Sequence, residues 1–217
     1  MILLALLLGQ AAPTIASAKP SDPALLRSWY ASGQCLVARN GVQAEAILDT
    51  RPQSLDFLGA FLTADTRTRC FDQRRAAVMH ENATRGAVAE ALLLRDFSAV
   101  GTPRGKHVAK VFMPLRSPVA PAAGEKRAIA FLEITECVAE KEPALSFQLF
   151  STEIGSREET AAVRALVPAL GACLSKGLQV PMNASYVRSF LAEAVYRVSV
   201  RRLSSPDARI DARTGTN

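Results

Sequence analysis

The feature that most constrains this chain is a stretch that occurs twice. Cys70, Met79, Arg85, Ala89, Glu90 and Ala91 reappear as Cys173, Met182, Arg188, Ala192, Glu193 and Ala194, each 103 residues later. Upstream the match continues at an offset of 102, where Cys35, Thr50 and Ser54 correspond to Cys137, Thr152 and Ser156. Identities at a near-constant offset mark an internal duplication, and such a period decides the fold before any motif is weighed. The expected architecture is all-α: two tandem homologous helical repeats, 19–96 and 127–203, joined by a different segment at 97–126.

The helical reading rests on periodicity. Ser21-Asp22-Pro23 supplies a capping residue followed by proline in the first turn. Leu25, Leu26, Trp29, Leu36 and Val37 then recur at roughly helical spacing, as do Ile129, Phe131, Leu132, Cys137 and Val138 in the second copy. Asn40-Gly41 is expected to end the first helix, and Pro143 stands where Gly41 stands. Short helical segments follow at 42–48 and 144–150. Ser54 and Ser156 open the clearest helices, with apolar stripes Leu55, Leu58, Phe61, Leu62 and Val163, Leu166, Val167, Leu170. Ser156 and Glu159 are spaced as a capping box, whereas the first copy has Phe57 at the glutamate position. Pro168 is expected to kink its helix by removing a donor and crowding the preceding turn. The last helix of each copy, with Asn82 or Ser185 as its cap, is apolar all round over 86–94 and 190–200, the pattern of a buried helix. Small residues at Gly86, Ala87, Ala89 and Ala91 allow another helix to come close.

Residues 1–18 read as a secretory signal peptide: an apolar run at 2–8 ends in Ala16-Ser17-Ala18, a small-residue cleavage site. The run is far shorter than the ~20 residues of a spanning helix. No Lys or Arg precedes it, so the free amino terminus supplies the positive charge or the true start lies upstream. The mature chain is expected in the periplasm or outside the cell, with no transmembrane segment. Four cysteines in an exported chain point to disulfides, and four allow three pairings. The duplication selects among them: Cys35 and Cys70 are 35 apart, Cys137 and Cys173 are 36 apart, so each copy is expected to hold its own bridge.

The segment 97–126 is broken by Gly101, Pro103, Gly105, Pro114, Pro118, Pro121 and Gly124, and residues 108–115 fit a single extended strand. Its Arg104, Lys106, Lys110 and Arg116 are candidate anion-binding residues in a chain of formal net charge +6. Residues 204–217 contain Pro206 and no apolar period, so a disordered tail is expected.

Chemical motifs are sparse. There is no Cys-x-x-Cys, the only histidines are His80 and His107, and His80-Glu81-Asn82-Ala83-Thr84 lacks the second histidine of a zinc-protease helix. No metal or cofactor is implied. Gly101-Thr102-Pro103-Arg104-Gly105-Lys106-His107 has a glycine spacing one residue short and His107 where a phosphate loop needs Ser or Thr. The aromatics do not interleave with the basic residues, which argues against nucleic acid. That leaves Glu90 and Glu193, carboxylates inside apolar helices that burial penalises unless they are paired. Arg85 and Arg188 sit five residues before them, a poor spacing for pairing within one helix, so reciprocal pairs are expected: Arg85 with Glu193 and Arg188 with Glu90. The leading reading is a non-enzymatic module that binds a protein partner or an anionic envelope surface. The alternative is a hydrolase of envelope polymers with Glu90 or Glu193 as general acid.

Overall fold

The computed structural model describes residues 22–71, 81–105, 121–174 and 183–204. Within them the chain is mostly helical, with seven α-helices, one 3-10 turn and a two-stranded sheet. Helix α1 (Pro23–Leu48) starts where the Asp22 side chain accepts the Ala24 N–H at 2.9 Å. The break expected at Asn40-Gly41 falls inside this span, where two helical segments meet. Asn40 leaves the helical conformation (φ −155, ψ 78), and its Oδ1 accepts the Gln43 N–H at 3.2 Å, so it kinks α1 and caps the segment beyond. In the second half, α4 (Ala123–Lys141) stops at Glu142 and Pro143 begins α5 (Pro143–Gln148), followed by a 3-10 turn at Leu149–Ser151.

Helix α2 (Leu55–Thr68) and helix α6 (Arg157–Cys173) each start on a serine, Ser54 accepting from the Phe57 N–H and Ser156 from the Glu159 N–H. Of the stripe expected on α2, only Phe61 is buried. Phe57, Phe61 and Ala64 face the core, while Leu55, Leu58 and Leu62 are 86%, 49% and 53% exposed. On α6, Val163, Leu166 and Leu170 are buried but Val167 is 46% exposed. Pro168 stands inside this helix, which continues to Cys173.

Disulfides join Cys35 to Cys70 and Cys137 to Cys173, with Cα separations of 5.7 and 6.0 Å. The first staples α1 to the residue beyond α2, and the second staples α4 to the end of α6. Each closes a loop that is worth about 3 to 4 kcal/mol in the chain-entropy account.

Helices α3 (Glu81–Asp96) and α7 (Ala184–Ser204) form the centre, buried almost continuously from Ala83 to Leu93 and from Val187 to Val200. α3 lies between α1 and α7, and α4 covers another side of α7. Backbones meet closely at two glycines. A Cβ on Gly33 would stand 2.6 Å from the Ala87 carbonyl oxygen, and one on Gly86 would overlap the Ser189 backbone. Asn183, not Ser185, caps α7: its Oδ1 accepts the Tyr186 N–H at 2.7 Å. Asn82 lies inside α3, so it is not the cap expected there.

After α3 the chain makes a small antiparallel hairpin, β1 (Phe97–Ala99) with β2 (Thr102–Pro103), turned at Gly101 (φ +76). The Gly101 N–H donates to Ser199 Oγ at 3.1 Å, which fastens the turn to α7. The strand expected at 108–115 and the signal peptide at 1–18 lie outside the described residues. Two expected boundaries move: α4 begins at Ala123, inside the expected connector, and Ser204 belongs to α7, with 205–217 outside the described residues.

Candidate functional site: two buried charge clusters

The central helices carry the charges, and burial there demands partners. Arg85, Glu90, Arg188 and Glu193 are only 1%, 6%, 2% and 3% exposed. Arg85, on α3, donates from Nε and Nη2 to the two carboxylate oxygens of Glu193, on α7, at 2.9 and 2.6 Å. Arg188, on α7, grips Glu90, on α3, in the same way at 2.8 and 2.6 Å. These two-pronged pairs are the strongest neutralising geometry that a carboxylate finds in a protein.

The guanidiniums also serve the backbone. A helix end leaves carbonyls without partners, and Arg85 donates to Ile47 O and Thr50 Oγ1 at 2.9 Å each and to Thr50 O at 3.0 Å, just where α1 ends. Arg188 donates from Nη1 to Thr152 O at 3.2 Å and Thr152 Oγ1 at 3.3 Å, beyond the 3-10 turn. Each arginine is therefore bound at both ends of its planar fork, by a carboxylate and by a chain reversal.

A third charge joins each pair, and here the clusters part. Arg197, one turn after Glu193 on α7, donates to Glu193 Oε1 at 2.9 Å and to Leu48 O at 2.5 Å. Around Arg188 the third member is Glu159 of α6, 2% exposed, whose Oε1 accepts from Nη1 at 3.1 Å. Its other oxygen accepts the Gly155 N–H at 2.7 Å, one residue before the amide that a capping box engages. One cluster thus holds two guanidiniums and one carboxylate, the other one guanidinium and two carboxylates. Aromatic faces complete both: Phe57 lies 5.8 Å from the Arg85 guanidinium carbon, and Tyr30 and Phe150 lie 5.4 and 5.9 Å from that of Arg188.

The carboxyl groups respond in opposite directions. Burial pushes Glu90 up from its usual range, Arg188 pulls it back only in part, and Glu159 adds to the rise. For Glu193 burial acts the same way, but Arg85 and Arg197 together overcome it and hold the carboxyl below that range. Tyr30 is raised well above the ordinary phenol value by burial and by the charge of Glu90.

No family model matches this chain, and neither a curated protein nor a solved structure does so.

Of the residues singled out from sequence, the four cysteines and the four motif charges fall into these staples and clusters. Arg104 is exposed and donates to Phe97 O at 2.7 Å, closing the hairpin. Lys106, Lys110 and Arg116 lie outside the described residues. Among the described residues no group of three or more His, Cys, Asp or Glu side chains has an arrangement that holds a metal, and no helix is long and apolar enough to cross a membrane. Arg197 and Glu159 were not singled out as cluster members. The first carried a signal in its i,i+4 spacing from Glu193; the second was legible only as a local cap.

Proposed function

We propose that this chain is an exported, non-enzymatic module, formed by duplication of a disulfide-stapled helical unit, that works by binding a protein partner or an anionic envelope surface. The observation that carries the reading is the state of the two motif glutamates. Both are buried, and each is held by both prongs of an arginine from the opposite copy, so neither presents a proton to a substrate. Equivalent positions also meet: Gly86 touches Ser189, 103 residues on, as happens beside a two-fold axis. The two bridges suit an oxidising compartment, in keeping with the signal-like residues 1–18. The basic connector 97–126 remains a second candidate surface, through Arg104, Lys106, Lys110 and Arg116.

The test sets the purified protein against isolated envelope polysaccharide and peptidoglycan. No release of soluble fragments is expected above that of a heat-denatured control. Release that vanishes in a folded Glu90→Gln or Glu193→Gln variant would replace this reading with the hydrolase. Export is checked separately by the mass of the cell-derived protein, expected to begin at Lys19 with all four thiols unreactive to alkylation.

A further inference from the structure

Where α1 begins, a short loop of the second half fastens it down. A small core of Leu26, Trp29, Tyr30, Ala83, Ala87 and Ile154 packs apart from the main one, and among the described residues Ile154 is what the second half contributes to it. The surroundings of Ile154 complete the fastening. Its carbonyl accepts from Arg27 Nη1 at 3.1 Å, and Glu153 stands 3.8 Å from the same guanidinium. Gly155 (φ +80) leaves the space in which Pro23 rests, since a Cβ there would come within 2.6 Å of the proline ring.

From beneath, the same loop is tied to the Arg188 cluster. Thr152 O and Oγ1 accept from Arg188, and the Gly155 N–H donates to Glu159. Tyr30 reaches both sides: its ring lies 5.4 Å from the Arg188 guanidinium carbon, and its hydroxyl is 3.4 Å from Ser189 Oγ. Loop 152–155 is thus held by a buried group of charges and in turn holds the start of α1.

Those charges do not balance. The groups that face Glu90 of α3 are Arg188 from α7, Glu159 from α6 and Tyr30 from α1. With both carboxyls ionised, two carboxylates oppose one guanidinium, and an apolar interior penalises the surplus. A proton on Glu90 removes it. Burial and the charge of Glu159 already favour that proton, and Tyr30 stays neutral because burial and Glu90 raise its phenol. Arg27 and Glu153 lie at the surface, where water screens them.

We propose that loop 152–155 and the start of α1 form a pH-sensitive latch, shut while the Arg188 cluster is neutral and released when the cluster carries its surplus negative charge. The sign follows from Glu90, whose proton is bound more tightly in the shut form. The latch is firmest in acid and loosens as pH rises above the ordinary carboxyl range. Release is local, because the bridge from Cys35 to Cys70 holds α1 beyond its first turns. It bares the apolar side chains of Leu26, Trp29 and Ile154, whatever the module binds elsewhere.

Trp29 is the only tryptophan in the chain and is buried in the small core, so its fluorescence reports on the latch. Acrylamide quenching of the full, oxidised chain, followed from about pH 5 to about pH 8, should increase with pH while far-UV circular dichroism stays level. Glu159→Gln leaves one carboxylate against one guanidinium and should keep quenching low throughout. Hydrogen exchange in the unsubstituted protein gives a reading that does not depend on how that variant folds. Each unit of pKa difference between shut and open forms changes the opening equilibrium about tenfold. The Gly155 amide, corrected for intrinsic exchange, should therefore exchange faster by about that factor at the upper pH, and the Thr50 amide beside the Arg85 cluster should not. The latch is overturned if Trp29 quenching or Gly155 exchange is level with pH in the unsubstituted protein, or if folded Glu159→Gln follows the same pH dependence. It is equally overturned if helical content is lost in step with quenching, since the change would then be global.

Discussion

The two buried charge clusters differ in the sign of their third charge, which comes from a different position in each. Around Glu193 the third charge is Arg197; around Arg188 it is Glu159. The residues that match them at the offsets of 103 and 102, Leu94 and Phe57, are apolar. The cluster with a spare cation holds its carboxyl below the ordinary range, and the cluster with a spare anion lets burial raise Glu90. What the contrast teaches is that the reciprocal Arg–Glu pairs are the common element, while the third member sets how each cluster titrates.

The largest effect should come from Arg188→Ala, which strands two buried carboxylates, Glu90 and Glu159. A loss of about 3 to 5 kcal/mol is expected in urea unfolding at neutral pH. Arg85→Ala should cost clearly less, because Arg197 still pairs with Glu193. Equal losses would mean that the third charges do not matter.

Where the copies are alike, their effects should match. Replacing Cys35 and Cys70 by alanine, or Cys137 and Cys173, opens loops of nearly the same length, with sequence separations of 35 and 36. Each double variant should lose about 2 to 4 kcal/mol, and unfolding midpoints that differ widely between them would show that the halves are not equivalent in stability.

The pH dependence separates the clusters. Glu90 has a folded pKa above its unfolded one, so the native state holds the extra proton in the window above the ordinary carboxyl range, and stability falls as pH rises through it. Glu193 is the reverse: its contribution is present above the ordinary range and is lost as pH falls below it. Glu159→Gln removes the spare anion beside Glu90 and should flatten the upper limb, on the order of 1 kcal/mol at neutral pH, while leaving the acid limb unchanged. Unfolding midpoints measured across the pH range check this, and an unaltered upper limb would detach Glu159 from Glu90. The smallest effect is expected from Leu94→Arg, which offers Glu90 the same i,i+4 cation that Glu193 has. Because Leu94 is half-buried, the net change should stay within about 1 kcal/mol, yet the carboxyl resonance of Glu90 should titrate at lower pH.

How far these features were legible depended on whether the signal was local or shared between copies. The near-constant offset carries the bridge assignments and marks Arg85, Glu90, Arg188 and Glu193, because a recurring pattern links residues that are distant in sequence. Thr50 and Thr152 were matched by the same offset, but nothing in the sequence indicated that their oxygens receive a guanidinium. Glu159 was visible as a cap and invisible as a partner of Arg188, since the contact spans α6 and α7. The orientation of α2 was lost because Phe61 belongs to either of two apolar stripes, and periodicity cannot say which one faces inward. The hairpin at 97–103 escaped notice because Gly101 and Pro103 signal a break without signalling a pairing.

One consequence of the reciprocal pairs concerns how the chain folds. Each half has its own staple and its own helical hairpin, yet Arg85 and Glu90 of the first half find their ion-pair partners in the second, across separations of 108 and 98 residues, whereas Glu193 and Arg188 also have Arg197 and Glu159 within their own half. The first half formed alone would bury Arg85 and Glu90 without these partners or stay open to water. The first half therefore depends on the second, and a nick between them should leave two fragments that remain associated and unfold in a single transition.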